Sequence, residues 1–242
     1  MGSVQVISVD NCLNYQPYNM LREVFRFRHE WTQRQKWSNG LTFQKTSING
    51  QYSETDDQDK PATVYFAKHD DKGEMVGVVR VHPSLDLMGR PISMISQTFN
   101  SLVDPDKGLP HAQNIWETSR LLVNLDKYSK EERVPIVNEL LASTFFYAHQ
   151  KNISGLFCFM AVSMWESTYK RMGLEVERLG PNGVIHDQGR TYEIYAGLMK
   201  INDRVIENLC RATSLDPSIL DFGTNPPLRL PAPSSAKPLS PP

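Results

Sequence analysis

The chain has 242 residues, a formal net charge of −1, 40% hydrophobic residues and 22% charged residues, an ordinary globular balance that supports one sizeable core and offers no basic excess to draw nucleic acid or an anionic membrane. No apolar run approaches the roughly 20 residues a membrane helix needs, and residues 1–10 lack the basic start and apolar stretch of a signal peptide. Cys12, Cys158 and Cys210 have neither metal nor redox spacing, so the expected compartment is the cytoplasm.

In chain order, residues 18–28 carry Leu21, Val24 and Phe25 at helical spacing, which predicts a helix. Residues 31–52 are polar, with Asn-Gly at 39–40 and 49–50, and read as a long mobile loop. Residues 62–69 and 74–82 are rich in β-formers and flank an Asp-Asp-Lys-Gly turn, the pattern of a hairpin. Further strands are expected over 91–95 and through Trp116-Glu117-Thr118-Ser119-Arg120-Leu121. Ser129 and Glu132 have capping-box spacing. Pro135 sits deep for a helix starting there, so a start at Pro135 is the alternative. Val137, Leu140, Leu141, Thr144, Phe145 and Ala148 then form its apolar face. Residues 156–162 are continuously apolar, as in a strand covered on both faces. Ser163 and Glu166 repeat the capping-box spacing, Trp165, Tyr169 and Met172 form a stripe, and Gly173 is the expected stop. A strand over 191–198 and a helix over 201–212 follow. Residues 225–242 are rich in Pro, Ser and Ala and are expected to form a disordered tail, which leaves 1–224 as a single domain. Strands first, then strands mixed with helices, imply a three-layer α/β/α sandwich.

Three clusters can carry chemistry. Arg28, Trp31 and Trp37 stand at and beyond the end of the first helix. The tryptophans either fold back on the core or close aromatic faces over a ligand; a sulfonium cation or an adenine suits such faces. Glu54-Thr55-Asp56-Asp57-Gln58-Asp59 is either a solvated acidic loop or a segment whose alternating members turn inward to arginines, with Arg80 and Arg120 as partners. The Gly and distal Glu of a calcium loop are missing. In the third cluster, alternation puts Glu117, Ser119 and Leu121 on one strand face and Trp116, Thr118 and Arg120 on the other. A Glu and an Arg buried there must each be paired, so Glu117 is either part of a structural ion pair or a base at a site walled by the core.

Together these clusters resemble the acyl-homoserine-lactone synthases, the autoinducer synthase family. The segment from Glu54 to Tyr65 looks like the family's Glu-x-Asp-x-Phe-Asp stretch followed by a Tyr, with Gln58 in place of the aromatic. Arg80 stands where the family has an arginine ending its hairpin. Met94-Ile95-Ser96-Gln97-Thr98-Phe99 looks like its strand ending in Thr-Phe, and Glu117-Thr118-Ser119-Arg120 matches its Glu-x-Ser-Arg motif. Arg28 and Trp37 match its N-terminal arginine and tryptophan, although Trp31 lies closer to Arg28 than the aromatic the family usually has there.

The resemblance implies an N-acetyltransferase-like fold, a mixed twisted sheet with helices on both faces. An acyl thioester would lie between splayed strands, its pantetheine arm bonded like an added strand. It implies two steps: the α-amine of S-adenosylmethionine attacks a thioester of acyl carrier protein or coenzyme A, then the carboxylate closes on the γ-carbon and expels methylthioadenosine. On this reading Glu117 is the base, and Arg28, Trp31, Trp37, Phe99 and Arg120 bind substrate. Asp56, Asp59 and Arg80, with Arg120, form a supporting ion-pair network. Phe157, Phe159, Met160 and Met164 are the expected acyl pocket, and core packing accounts for them equally well. No metal or cofactor is required, and neither nucleic acid nor membrane is a partner. The alternative is a general N-acyltransferase using acyl-coenzyme A and another amine, against which stands the lack of a Gly-rich pyrophosphate loop after a strand. A binding protein for acyl chains or lactones would need no inward Glu.

Overall fold

The structure, a computed structural model, describes residues 3–8, 15–35, 44–48, 51–187 and 190–222. Trp37, Cys12 and the Pro-rich 225–242 lie outside the described residues. In chain order the elements are β1 (Val4–Ser8), α1 (Tyr15–Gln35), β2 (Gln44–Ile48), β3 (Gln51–Thr55), β4 (Val64–His69), β5 (Met75–Pro83), α2 (Met94–Gln97), β6 (Ile115–Val123) and α3 (Lys130–Gln150). There follow β7 (Gly155–Ala161), α4 (Val162–Met164), β8 (Glu177–Arg178), β9 (Gly183–Asp187), β10 (Arg190–Lys200), α5 (Asp203–Thr213) and β11 (Leu220–Asp221).

Strands β4 and β5 are the expected hairpin, and they are buried on both faces because helices cover the sheet on either side. The sheet runs in the order β11-β1-β4-β5-β6-β7-β10-β8, with β9 on β10, while β2 and β3 pair separately. Helices α3 and α5 pack one face through Ile136, Leu140, Phe145, Ile206 and Leu209. Helix α1 packs the other face over β1, β4 and β5 through Leu21, Val24 and Phe27. Beside it, Ile95 of α2 and Leu102 cover Phe157, Ala196 and Leu198. The three-layer mixed α/β sandwich is thus as expected. No helix among the described residues is long and apolar enough to cross a membrane.

Several local expectations are corrected. Helix α1 continues to Gln35, so Trp31 is helical rather than in a loop, and part of the expected loop is the β2–β3 hairpin. The segment expected as a strand at 91–95 turns into α2, because Ser93 takes the N-cap and its hydroxyl accepts from the Ser96 N–H. Phe99 consequently follows a helical turn rather than ending a strand. Helix α3 starts at the Ser129–Glu132 capping box, with Pro135 inside it. Both Pro135 and Glu131 are exposed, so water can satisfy the carbonyl that proline leaves free. The second capping box is not formed: α4 follows Ala161 directly and runs into a π turn, Trp165–Tyr169. Gly173 ends that segment at φ 72, a left-handed value that suits glycine.

One feature of the sheet shapes everything near the site. Strands β6 and β7 are parallel and in register only over Ile115–Glu117 against Gly155–Phe157. Beyond that point β6 stays with β5 and β7 stays with β10. The two strands therefore part, leaving a wedge between their C-terminal halves.

Candidate active site

Cross-strand registry lines up polar residues on the sheet face that carries α1 and α2. Tyr65, Arg80 and Ser119 form one row across β4, β5 and β6, and His82, Glu117 and Phe157 form the next across β5, β6 and β7. Arg28 reaches the first row from α1. Its Nη1 donates to Asp59 at 2.7 Å, and its Nη2 donates to Glu54 at 3.1 Å and Asp56 at 3.3 Å. Arg80 Nη1 donates to Asp56 at 2.6 Å and Asp59 at 2.7 Å, and its Nε donates to Ser119 Oγ at 3.1 Å. Arg120 Nη2 donates to Asp56 at 2.7 Å, and the Tyr65 hydroxyl donates to Asp59. Three guanidinium groups thus meet three carboxylates, which is how so many charges can lie buried together. Burial alone would raise the Asp56 carboxyl, but Arg80, Arg120 and Arg28 together hold it well below the usual carboxylate range. Asp59 is lowered in the same way, by Arg28 and Arg80 against its burial.

The acidic segment therefore turns inward, as one of its two readings had it, while Asp57 stays exposed. Gln58, which replaces the expected aromatic, is buried and donates to Gln97 at 3.0 Å, tying the segment to α2.

Arg120 joins this face through a change of strand phase. Plain alternation would send it to the opposite side from Glu117 and Ser119. Instead the β5–β6 register shifts between Val78 and Arg80, and Arg120 takes φ 55. This is a β-bulge, an extra residue that lets neighbours face the same way. Leu121 then packs toward α3 and Leu122 toward α1, the reverse of the sequence reading.

Glu117 is fully buried at the mouth of the wedge. Its Oε2 accepts from the Met94 N–H at 2.6 Å, while Oε1 has no hydrogen-bond partner among the described residues. Burial pushes its carboxyl up to about 7, even though the backbone N–H groups of Met94 and Ile95 and the charge of Arg80 pull the other way. Glu117 does not pair with Arg120; the residue beside it is His82, whose Nε2 lies 3.4 Å from Oε2. The sequence reading passed over His82, though Arg80 and His82 at alternate positions of an apolar strand were the signal that both face one way.

The expected acyl residues divide by strand face. Phe157 and Phe159 join the cluster on the α2 side, where the Phe99 and Phe159 rings lie 4.1 Å apart. Met160 packs on the α3 side, and Met164 is half-buried in α4. Cys158 is buried, and burial raises its thiol pKa, as expected of a structural thiol.

Two of the expected substrate-binding residues sit elsewhere than a lid. Arg28 is wholly buried among carboxylates, because α1 carries it under the acidic segment. Trp31 packs against the α1 side of the core and its Nε1 donates to the Val123 carbonyl at 2.6 Å. It lines a cavity of about 350 Å³ with Phe27, Glu74, Met75 and Asn124, a set that includes neither Glu117 nor Phe99. No group of three or more His, Cys, Asp or Glu among the described residues is arranged to hold a metal ion.

The autoinducer synthase family matches residues 13–209. An acyl-homoserine-lactone synthase of Vibrio anguillarum is 30% identical over 142 residues, which is 58% of this chain and 69% of that protein. Among solved structures, the coenzyme A-dependent acyl-homoserine lactone synthase BjaI, determined with S-adenosylmethionine and isopentyl-coenzyme A, superposes with a TM-score of 0.72 at 24% identity, covering 94% of this chain and 96% of its own. The synthase LasI superposes with a TM-score of 0.60 at 22% identity, over 79% of this chain and 88% of its own.

Proposed function

Since the chain belongs to the autoinducer synthase family, whose members are acyltransferases, we propose that it transfers an acyl group from a thioester to the α-amine of S-adenosylmethionine, closes the homoserine lactone and releases methylthioadenosine. The observation that carries this reading is Glu117, a buried carboxyl at the mouth of a strand wedge with one oxygen unpartnered.

The reaction needs a base, an oxyanion site and two substrates held together. The α-ammonium group has a pKa of about 8. A carboxylate whose own pKa lies near 7 accepts that proton at small cost, and such a base contributes about 10²–10⁴ in rate. Along the wedge, backbone groups of β6 and β7 face no neighbouring strand among the described residues. They can take the thioester arm as an added strand and offer an N–H to the oxyanion. Phe99, Phe157 and Phe159 supply an apolar wall for the acyl chain, and a chain passing through the wedge would also meet Met160 on the other face. The network of Arg28, Arg80 and Arg120 with Glu54, Asp56 and Asp59 acts by holding β6 and the acidic segment rigid. Substrate positioning of this kind is worth as much as the base. The chemistry calls for no metal or cofactor, since S-adenosylmethionine is consumed. In the second step its carboxylate forms the ring C–O bond as the γ-carbon–sulfur bond breaks.

The test is incubation of the purified protein with S-adenosylmethionine and a panel of acyl thioesters of both coenzyme A and acyl carrier protein. Methylthioadenosine and an acyl-homoserine lactone should appear together by mass spectrometry. Acylation of some other amine without methylthioadenosine would favour the general N-acyltransferase reading, and no methylthioadenosine with any donor would sink the proposal.

A further inference from the structure

His82 is fully buried, yet it has no task in the reaction outlined above. It stands on β5 directly opposite Glu117 on β6. Its Nδ1 lies 3.1 Å from the Pro83 carbonyl. A carbonyl only accepts, so Nδ1 carries the hydrogen and the neutral ring presents a lone pair at Nε2. That Nε2 has no hydrogen-bond partner among the described residues and lies 3.4 Å from Glu117 Oε2, a few tenths of an ångström beyond ordinary hydrogen-bond range. With Glu117 ionised, two lone pairs face each other across this gap. With one proton between them, the carboxylic acid donates to the imidazole and both groups are satisfied.

We propose that His82 is a positioning residue for Glu117: its Nε2 lone pair disfavours the bare carboxylate and receives the O–H of the acid, so that Glu117 is a stronger base than burial alone would make it. This rests on the reading of Glu117 as the base. The surroundings agree. Burial, then Arg80, pull the imidazole down to about 3, so it stays neutral; Asp56 favours its charge and Lys60 opposes it. Arg80 and Asp56 also face Glu117, and α2 contributes only backbone N–H groups.

The proton balance closes. On becoming an amide the substrate nitrogen loses two protons. One breaks from N–H to form O–H on the unpartnered Oε1 of Glu117. A half-turn about the soft terminal torsion of the side chain exchanges the oxygens and brings the proton to His82. The acid later returns it to the departing thiolate sulfur, giving the thiol. The second proton leaves to water, and His82 is neutral before and after.

The experiment is the pH profile of kcat for the full chain and for His82→Leu, with Glu117→Gln alongside. The acid limb should move down by about half a pH unit or more in His82→Leu, roughly a threefold loss of proton affinity, while KM for S-adenosylmethionine holds. If Glu117→Gln is inactive and the His82→Leu limb stays in place, the pairing is overturned but the base is not. If Glu117→Gln keeps full turnover, the base reading itself fails. Should His82→Leu not fold, nitrogen-15 NMR of the wild-type ring decides. A neutral ring with its hydrogen on Nδ1 from about pH 5 to about pH 8 supports the pairing, since a free histidine titrates near 6.5. An imidazolium, or a hydrogen on Nε2, overturns it.

Discussion

Glu117 and Phe157 form the last registered pair between β6 and β7, and past them the strands diverge. A carboxyl whose pKa burial lifts to about 7 thus stands where backbone stops pairing with backbone. Glu117→Gln should lower kcat by about 10²–10⁴ with the fold intact. Its folded-state pKa lies above the unfolded value, so its favourable protonated form is fully present below about pH 4.5 and is lost as pH rises through about 7. The glutamine cannot ionise. Its melting temperature should therefore exceed that of the wild type at about pH 8 and match it near pH 4, which calorimetry at the two pH values checks.

Asp56 accepts from Arg80 and Arg120 and lies 3.3 Å from Arg28. Asp56→Ala leaves buried guanidinium groups short of a partner and should cost about 3–5 kcal/mol in denaturant unfolding. Its carboxyl is depressed in the fold, so its stabilisation is present above the unfolded value of about 4 and is lost as pH falls through the lower folded value. Circular dichroism during acid titration should show the wild type losing stability below about pH 4, and Asp56→Asn should lose less over the same range. An Asp56→Ala variant that was inactive but fully stable would contradict a supporting role.

Arg120 adopts φ 55 while its guanidinium pairs with Asp56. Alanine and glycine at this position both remove the ion pair, but only alanine keeps a Cβ in the left-handed region. Arg120→Ala should be less stable than Arg120→Gly by about 1 kcal/mol. Equal stabilities in urea unfolding would mean that the bulge relaxes once the guanidinium is gone.

The rings of Phe99 and Phe159 meet 4.1 Å apart beside the wedge. Phe159→Ala should open that wall and raise the preference for longer acyl donors by about tenfold or more, the discrimination a methylene commands in an apolar pocket. Competition between two donors of different length, read as the ratio of lactones formed, measures it.

Much of this is legible in the sequence. The apolar runs of β4, β5 and β7, the Ser129–Glu132 cap of α3 and the Gly173 stop depend on residues within a few positions of one another. The acidic segment, Arg80 and the Glu117–Arg120 motif, taken in order, sufficed for the family. Trp31 was harder: a tryptophan in polar company points to burial or to a ligand with equal force, and only the Val123 carbonyl across the sheet chooses between them.

By itself, the sequence determined the local elements, the family and the identity of the inward carboxyl, because periodicity, capping and motif order act over short stretches of chain. The tertiary structure alone decided that a bulge turns Arg120 onto the face of Ser119, that Arg28 lies under the acidic segment rather than over a substrate, and that His82 faces Glu117. Those relations arise from register and packing between segments far apart in the chain, where a shift of one residue sends a side chain to the other side of the sheet.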